Sequence, residues 1–423
     1  MTSAFDQPTI SVAVVNSADY AGGAETIARM LRDGLAGRGH RAQLFVGRRR
    51  GPDGDPGIEE IAATAAERGV AQRFARKGFF SLGVPASRRF CSAGRLDEFD
   101  LIHLHNVHGH YLCLSAVPRL AGLRPLVWTF HDYFPITGGC AFPFECEGWR
   151  SRCGSCPQLG RYPLVTPFDR TRRLQAIKRK LFAALPVTII APSAHLARAI
   201  ESSGVFPQAD VRVIPYGVDT EVFHPQRDGA RQALGIAGDV PVVLVAAQGL
   251  DDPRKGVAHA VEALQRAAAP GTLVLLAGSG DQRTVADAVA PLRVRSLGYV
   301  ADRAELARCY AAADLMVFTS LAENLPCVVL EAMASGTAVA AFAIPGVDEE
   351  IAAGRTGFLV PPGDAAGLAR TLREVMADRA KLSAVGVAAR GHIEEHFSID
   401  LFLDRHERLY REILARRPAA CAL

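Results

Sequence analysis

The stretch Ala313-Asp314-Leu315-Met316-Val317-Phe318-Thr319-Ser320, followed by Glu323-Asn324-Leu325-Pro326 and an apolar run to Glu331, reads as strand, polar turn and helix. Four consecutive apolar residues suit a strand buried on both faces. Pro326 suits the first turn of a helix that begins near Asn324 to Pro326. The first amides of such a helix have no partner within it and sit at the positive end of its dipole, so they form a site for phosphate. Glu331 falls further along that helix, about two turns beyond Glu323, where a carboxylate accepts hydrogen bonds from sugar hydroxyls.

The same alternation extends in both directions. Upstream, strand candidates are Thr9 to Val15, Ala42 to Val46, Leu101 to Leu104, Leu126 to Phe130, Thr188 to Ala191 and Val211 to Ile214. After a polar, Gly- and Pro-containing stretch at 217–239 the pattern restarts with Val242 to Ala246, Thr272 to Leu276, Val294 to Leu297, Leu315 to Phe318 and Ala338 to Phe342. Short β-branched runs alternating with helical periodicity predict parallel sheets covered on both faces, here twice over. The fold class is therefore α/β, with two doubly wound Rossmann-like domains at 1–220 and 221–398, and ligands beyond the carboxyl ends of the strands, in a cleft the domains share. Leu401, Phe402, Leu409, Ile413 and Leu414 predict a terminal helix over 400–416, in a tail at 399–423 that packs back on the first domain. Residues 48–95, dense in Gly, Pro and Arg, read as a variable excursion of the first domain.

With 423 residues, 49% apolar and 22% charged, the chain has the composition of a soluble globular protein, not of a disordered or fibrous one. No apolar run approaches the ~18 residues of a membrane span. The N-terminus carries Asp6 and no basic region, which predicts no signal peptide and a cytoplasmic location. The net charge of +4 hides an asymmetry: residues 1–200 hold 26 basic and 16 acidic side chains, 26 − 16 = +10, and the remainder hold 22 and 28, or −6. The first half is the one suited to an anionic partner. Within it, 170–180 reads as a basic amphipathic helix with Leu174, Ile177, Leu181 and Phe182 interleaved, either packed on its domain or lying on an anionic membrane at the inner face.

Asp252-Pro253-Arg254-Lys255-Gly256 places two cations just before a helical pattern. Unit charges ~4 Å apart attract by about 4 kcal/mol at an effective dielectric of 20, enough for the pair to stabilise a departing diphosphate without a metal. No obvious Asp-x-Asp cluster for a metal-bound diphosphate accompanies these cations, so no catalytic metal is expected. The plainer alternative is a basic pair on an exposed turn. Cys140, Cys146, Cys153 and Cys156, spaced C-x5-C-x6-C-x2-C, read as a closed structural zinc site, with reduced thiols or an oxidised pair as the alternatives. Cys91, Cys113, Cys309, Cys327 and Cys421 form no pattern. His103, His105, His108 and His110 alternate along a strand end, where a metal is conceivable but a role in lining the cleft is simpler.

Taken in order, these segments resemble the retaining GT-B glycosyltransferases of family 4, the glycosyl transferases group 1. The resemblance rests on Ala313 to Ala334 with its E-x7-E pair, on Gly22-Gly23-Ala24-Glu25 and on Pro215-Tyr216-Gly217-Val218-Asp219. Ala277-Gly278-Ser279-Gly280-Asp281 and Thr356-Gly357-Phe358-Leu359-Val360 extend it over the whole chain. The cysteine-rich insertion at 138–160, after His131-Asp132-Tyr133, resembles that of colanic-acid and exopolysaccharide-type enzymes. The resemblance implies a nucleoside-diphosphate sugar donor, UDP- or GDP-linked, and a glycan, lipid-linked or small-molecule acceptor. It implies that Glu331 holds the ribose, that Glu323, Asn324, Leu325 and Pro326 meet the sugar and phosphate, and that Arg254 and Lys255 cradle the diphosphate. Gly23 would let its loop approach the donor because it lacks a Cβ. His131 would face the donor sugar, His105 and Asn106 the acceptor. A GT-B nucleotide-sugar epimerase is the alternative within the fold, and a zinc-containing nucleic-acid-binding protein the alternative outside it. The twofold α/β pattern disfavours nucleic acid as a partner.

Overall fold

Leucyl and β-branched runs build thirteen strands among the described residues of the computed structural model, which are 8–20, 22–51, 54–61, 63–92, 94–237 and 239–416. Asp6 and Cys421 lie outside them. The chain divides into two compact units, one formed by the residues up to Ile214 together with Leu403 onward, the other by Pro215–Phe402.

The first unit holds β1 (Ser11–Ala18), β2 (Arg41–Arg48), β3 (Ile58–Glu60), β4 (Leu101–Leu104), β5 (Leu126–Thr129), β6 (Thr188–Ala191) and β7 (Asp210–Val213), in the order β3-β2-β1-β4-β5-β6-β7. All six pairings are parallel, with Val12 opposite both Ala42 and Leu101. The second holds β8 (Val242–Gly249), β9 (Leu273–Ser279), β10 (Arg293–Gly298), β11 (Leu315–Phe318), β12 (Ala338–Phe342) and β13 (Phe358–Val360), ordered β10-β9-β8-β11-β12-β13 and again parallel throughout. β4, β5, β6, β11 and β12 are buried along their whole length, which is why they read as unbroken apolar runs. Each sheet reverses its order once, between β1 and β4 in the first and between β8 and β11 in the second.

The structure departs from the sequence reading in three places. The strands β3 and β13 are three-residue edge strands, too short to show a pattern. The helix after β11 is Cys327–Ala334, with Pro326 as its extended N-cap at φ −77°, ψ 110°. A residue preceding proline is kept out of the α region, so Leu325 stays non-helical and Glu323 lies in the turn, not one face along a helix from Glu331. Residues 48–95 also carry more structure than expected. Besides β3 they form helices at Ala65–Arg76, entered through a Thr64/Glu67 capping box, and at Ala86–Ser92.

Candidate functional site

In an open parallel sheet the strand order reverses at one crevice, and loops leaving the carboxyl ends of the two flanking strands diverge there. In the second unit those strands are β8 and β11. The loop after β8 carries Arg254 and Lys255, and the loop after β11 carries Ser320 and Glu323. Arg254 Nη1 donates to Glu323 Oε1 at 2.8 Å, Lys255 Nζ to the same oxygen at 2.6 Å, and the Ser320 hydroxyl lies 2.7 Å from it. Arg254 Nη1 also donates to Ala322 O at 2.9 Å, and Leu321 N to Arg254 O at 2.7 Å, so backbone joins the loops as well. Gly256 fixes this approach: at φ 62° it is left-handed, and a Cβ there would sit 2.0 Å from Thr319 O. The exposed-turn alternative for the basic pair fails, since the side chains of Lys255 and Arg254 are only 13% and 19% exposed.

Burial pushes the Glu323 carboxyl up, but the Lys255 and Arg254 charges and the Lys255 and Ser320 hydrogen bonds outweigh it and hold its pKa below the ordinary carboxylate value. Asn324, Leu325 and Pro326 are buried behind it, at the entrance to the helix Cys327–Ala334. Glu331, inside that helix, receives Tyr310 Oη at 3.2 Å and lies 3.4 Å from Arg303 Nη1. Burial raises its pKa, opposed by Arg303. A third carboxyl escaped the sequence reading. Glu350 is 0% exposed, neither of its oxygens has a hydrogen-bond partner, and burial together with Glu323 and Glu349 drives its pKa well above the ordinary value. Nothing in Asp348-Glu349-Glu350 tells which acid turns inward; packing decides it.

The first unit brings its own candidates to the carboxyl ends of β1, β4 and β5. Gly23 is the first residue of the helix Gly23–Gly37, and a Cβ on it would meet nothing within 4 Å. The crowded glycine is its neighbour, since a Cβ on Gly22 would lie 2.0 Å from Glu25 Oε2. His131 follows β5 and is half-buried, with His105 Nδ1 2.9 Å from its Nε2. Burial holds the His131 imidazole down to a pKa of about 3. His105 is itself only 1% exposed, so it touches an acceptor through His131 or not at all. Asn106 beside it is half-buried, its backbone N–H donating to Asn16 Oδ1 at 3.1 Å. The metal alternative for the histidines has no support: His103 is engaged by Tyr410 Oη at 2.6 Å and Thr129 Oγ1 at 2.8 Å, and His108 by Asp132 Oδ2 at 3.0 Å.

Cys140, Cys146, Cys153 and Cys156 line a single pocket with Trp149 and Gly138, and Gly138 N donates to Cys153 Sγ at 3.2 Å. As the side chains stand, no set of three or more His, Cys, Asp or Glu among the described residues converges into a metal-holding group. Burial pushes the Cys140 thiol up to about 12, partly offset by a Thr137 hydrogen bond. The helix Thr171–Phe182 spends its apolar residues on the core: Leu174 and Phe182 are buried, and so is Lys178, whose Nζ donates to Phe134 O and, at 3.0 Å, to Thr137 O. None of the helices among the described residues is long and apolar enough to cross a membrane.

Two family patterns match the chain, Glycosyltransferase Family 4 over residues 21–222 and Glycosyl transferases group 1 over residues 241–378. The chain is 34% identical over 331 residues to the alpha-maltose-1-phosphate synthase of Mycolicibacterium smegmatis, a match covering 73% of this chain and 79% of that protein. It is 32% identical over 255 residues to WcaC of Escherichia coli K12, named for glycosyl transfer in colanic acid biosynthesis. That match covers 57% of this chain and only 59% of WcaC. Among solved structures, Anabaena HepE in complex with UDP and glucose has the same fold, with a TM-score of 0.67 and 19% identity over 95% of this chain and 100% of that one. The two sheets are thus those of the GT-B fold, and the chain belongs to the family 4, group 1 glycosyltransferases.

Proposed function

We propose that the chain transfers a sugar from a nucleoside-diphosphate sugar, UDP- or GDP-linked, to a glycan, lipid-linked or small-molecule acceptor with retention of anomeric configuration. The observation that carries this reading is the convergence of Arg254, Lys255 and Ser320 on one oxygen of Glu323 at the β8/β11 reversal. A diphosphate competes with Glu323 for both cations. As they move to it they stabilise the leaving group, and no metal is needed. Glu323, relieved of its partners, then accepts hydrogen bonds from the donor sugar. Asn324 and Leu325 offer amides to the phosphate, with Pro326 leading into the helix. Glu331 takes the ribose hydroxyls, the Gly23 loop admits the donor, and His131 contributes a hydrogen bond to the sugar. The bond from anomeric carbon to phosphate oxygen breaks as the acceptor oxygen bonds on the same face, and the departing phosphate takes the acceptor's proton. No covalent nucleophile is assigned.

HepE, described with UDP and glucose, supports a nucleotide-sugar donor, and WcaC, named for colanic acid, supports a glycan acceptor in exopolysaccharide assembly. The transferase and synthase names of the relatives favour transfer over epimerisation. A peripheral position at the inner membrane face would rest on exposed Arg172, Arg173 and Lys180 alone, because the apolar side of their helix is inside the unit. A panel of nucleotides in a thermal-shift assay tests the donor reading: saturation at 100 Kd stabilises by about 2.7 kcal/mol. One base should raise Tm, and the rise should vanish in Lys255→Ala; no shift with any nucleotide-sugar and no transfer would overturn the reading.

The cysteine loop is read as a structural zinc site, supported by its spacing and its shared pocket. The thiols must turn inward to complete it. Metal analysis should find about one zinc per chain. None, with four titratable thiols, rejects it.

A further inference from the structure

His105 and His131 share one hydrogen bond, and its direction follows from what surrounds them. The backbone of His105 is pinned on both sides, its N–H donating to Val15 O at 2.8 Å and its carbonyl accepting from Trp128 Nε1 at 2.9 Å. The two imidazoles lie within 20° of coplanar, with centroids 5.1 Å apart and 2.9 Å between His105 Nδ1 and His131 Nε2, so they meet edge to edge. The other nitrogen of His105, Nε2, is buried without any partner. A single proton lies between the rings, and there are two ways to place it. If His131 Nε2 carries it, His105 must hold its own proton on Nε2, leaving a buried N–H with no acceptor. If His105 Nδ1 carries it, Nε2 is only a bare lone pair. Orphaned buried N–H groups are rarer in folded proteins than under-satisfied acceptors, and which nitrogen of a histidine is protonated is set by the bond the other one makes.

We infer that His105 is a positioning residue that donates Nδ1–H to His131 Nε2 and thereby locks His131 as the neutral tautomer protonated on Nδ1. His131 is then a hydrogen-bond donor through Nδ1 and has no role in carrying a proton between acceptor and leaving group. Protonating it would place a second N–H in the shared bond and force the His105 proton onto the orphaned Nε2. Of the groups acting on His131, the Asp132 carboxylate favours the cation, while burial, which is the largest effect, and His108 oppose it. His103, with its ring centroid 4.5 Å from that of His105, and His406 are histidines, and Asp132, beside His131, already accepts from His108 Nε2 at 3.0 Å. Burial holds His105 and His103 well below the ordinary histidine pKa, and His131 likewise. The inference rests on the proposed reading only where it speaks of sugar transfer; the tautomer itself does not depend on it.

Nitrogen-15 NMR of the imidazoles in the full chain tests this without any donor or acceptor. In the wild type, His131 Nε2 should show the unprotonated signature and Nδ1 the protonated one throughout pH 5 to 8. His105→Asn, whose amide N–H can reach the same nitrogen, should keep that pattern. His105→Leu should move the proton to Nε2, let His131 titrate nearer the ordinary range and lower kcat about tenfold, the worth of one hydrogen bond between ~1 and 2 kcal/mol. A wild-type His131 protonated on Nε2, or one that becomes imidazolium between pH 5 and 8, overturns the inference even if the Leu variant fails to fold. If the tautomer is as described but His131→Ala transfers sugar at the full rate, it is the role of His131 in the proposed function that fails.

Discussion

One strand of the second unit separates two ion clusters of the same composition, a carboxylate with two cations, and they are built differently. At the amino end of β11, Asp314 Oδ1 accepts from Arg227 at 2.7 Å, and its Oδ2 accepts from Arg231 and from Val242 N, both at 2.8 Å. Arg231, 2% exposed, also gives Nε to Ala312 O at 3.0 Å and Nη1 to Val240 O at 2.9 Å. The two cations there take different oxygens of Asp314, and Arg231 is held by two backbone carbonyls besides. At the carboxyl end, Arg254, Lys255 and Ser320 crowd one oxygen of Glu323. Donors that share an acceptor are the ones a second anion can draw away. On the proposed function the first cluster is a fastener and the second an exchangeable pair, which is how the topology rule would divide the two ends of a strand at such a reversal.

Breaking the exchangeable cluster should have the largest effect. Lys255→Ala removes a unit charge worth about 4 kcal/mol against a diphosphate at ~4 Å, so kcat/KM in a transfer assay should fall by roughly a thousandfold, with the loss of Tm limited because Arg254 and Ser320 still hold Glu323. Asp314→Asn should show the reverse pattern. Removing one partner of a buried pair costs about 3 to 5 kcal/mol, which denaturant titration would register as a lower midpoint, while the folded fraction binds nucleotide as before. Equal effects on stability and activity in both variants would erase the distinction.

Smaller effects sharpen it through pH. The folded Glu323 carboxyl binds its proton more weakly than in the unfolded chain, so its contribution is complete above the ordinary carboxylate pKa and lost as pH falls through the lowered value. Glu323→Gln should lose stability relative to wild type at neutral pH and converge on it in acid. Glu350 has the opposite sign: its raised pKa favours the fold in acid, and that contribution is lost as pH rises through the raised value. Glu350→Gln should match wild type near pH 4 and gain on it as pH rises, by a few degrees in Tm. A constant difference across pH for both variants would show that neither carboxyl titrates as its surroundings require.

How much of this was legible beforehand depended on whether a feature was local. β4, β6, β11 and β12 could be bounded from sequence because a strand buried on both faces is an unbroken apolar run. Arg254, Lys255 and Glu323 were each visible beside a strand end, and the parallel-sheet rule brings them together across 68 or 69 residues. What stayed hidden was set by packing between distant segments. Glu350 rather than Glu349 turns inward, His105 is enclosed with its carbonyl held by Trp128 Nε1, and Lys178 is buried in a helix whose Arg172, Arg173 and Lys180 are exposed. The E-x7-E spacing suggested two acids along one helix, but Pro326 keeps Glu323 out of the helix that carries Glu331.

The final helix, Ile399–Ala415, carries a lesson for anyone recombining these enzymes. From Leu403 onward it belongs to the first unit, where Arg38 grips Asp404 and Glu407 at 2.6 and 2.8 Å and Tyr410 closes on His103. A chimera that exchanges donor halves at a single junction near residue 214 would graft a foreign Tyr410 and His406 behind the native histidines. Two crossovers, one after Ile214 and one before Leu403, keep that wall with the residues it supports.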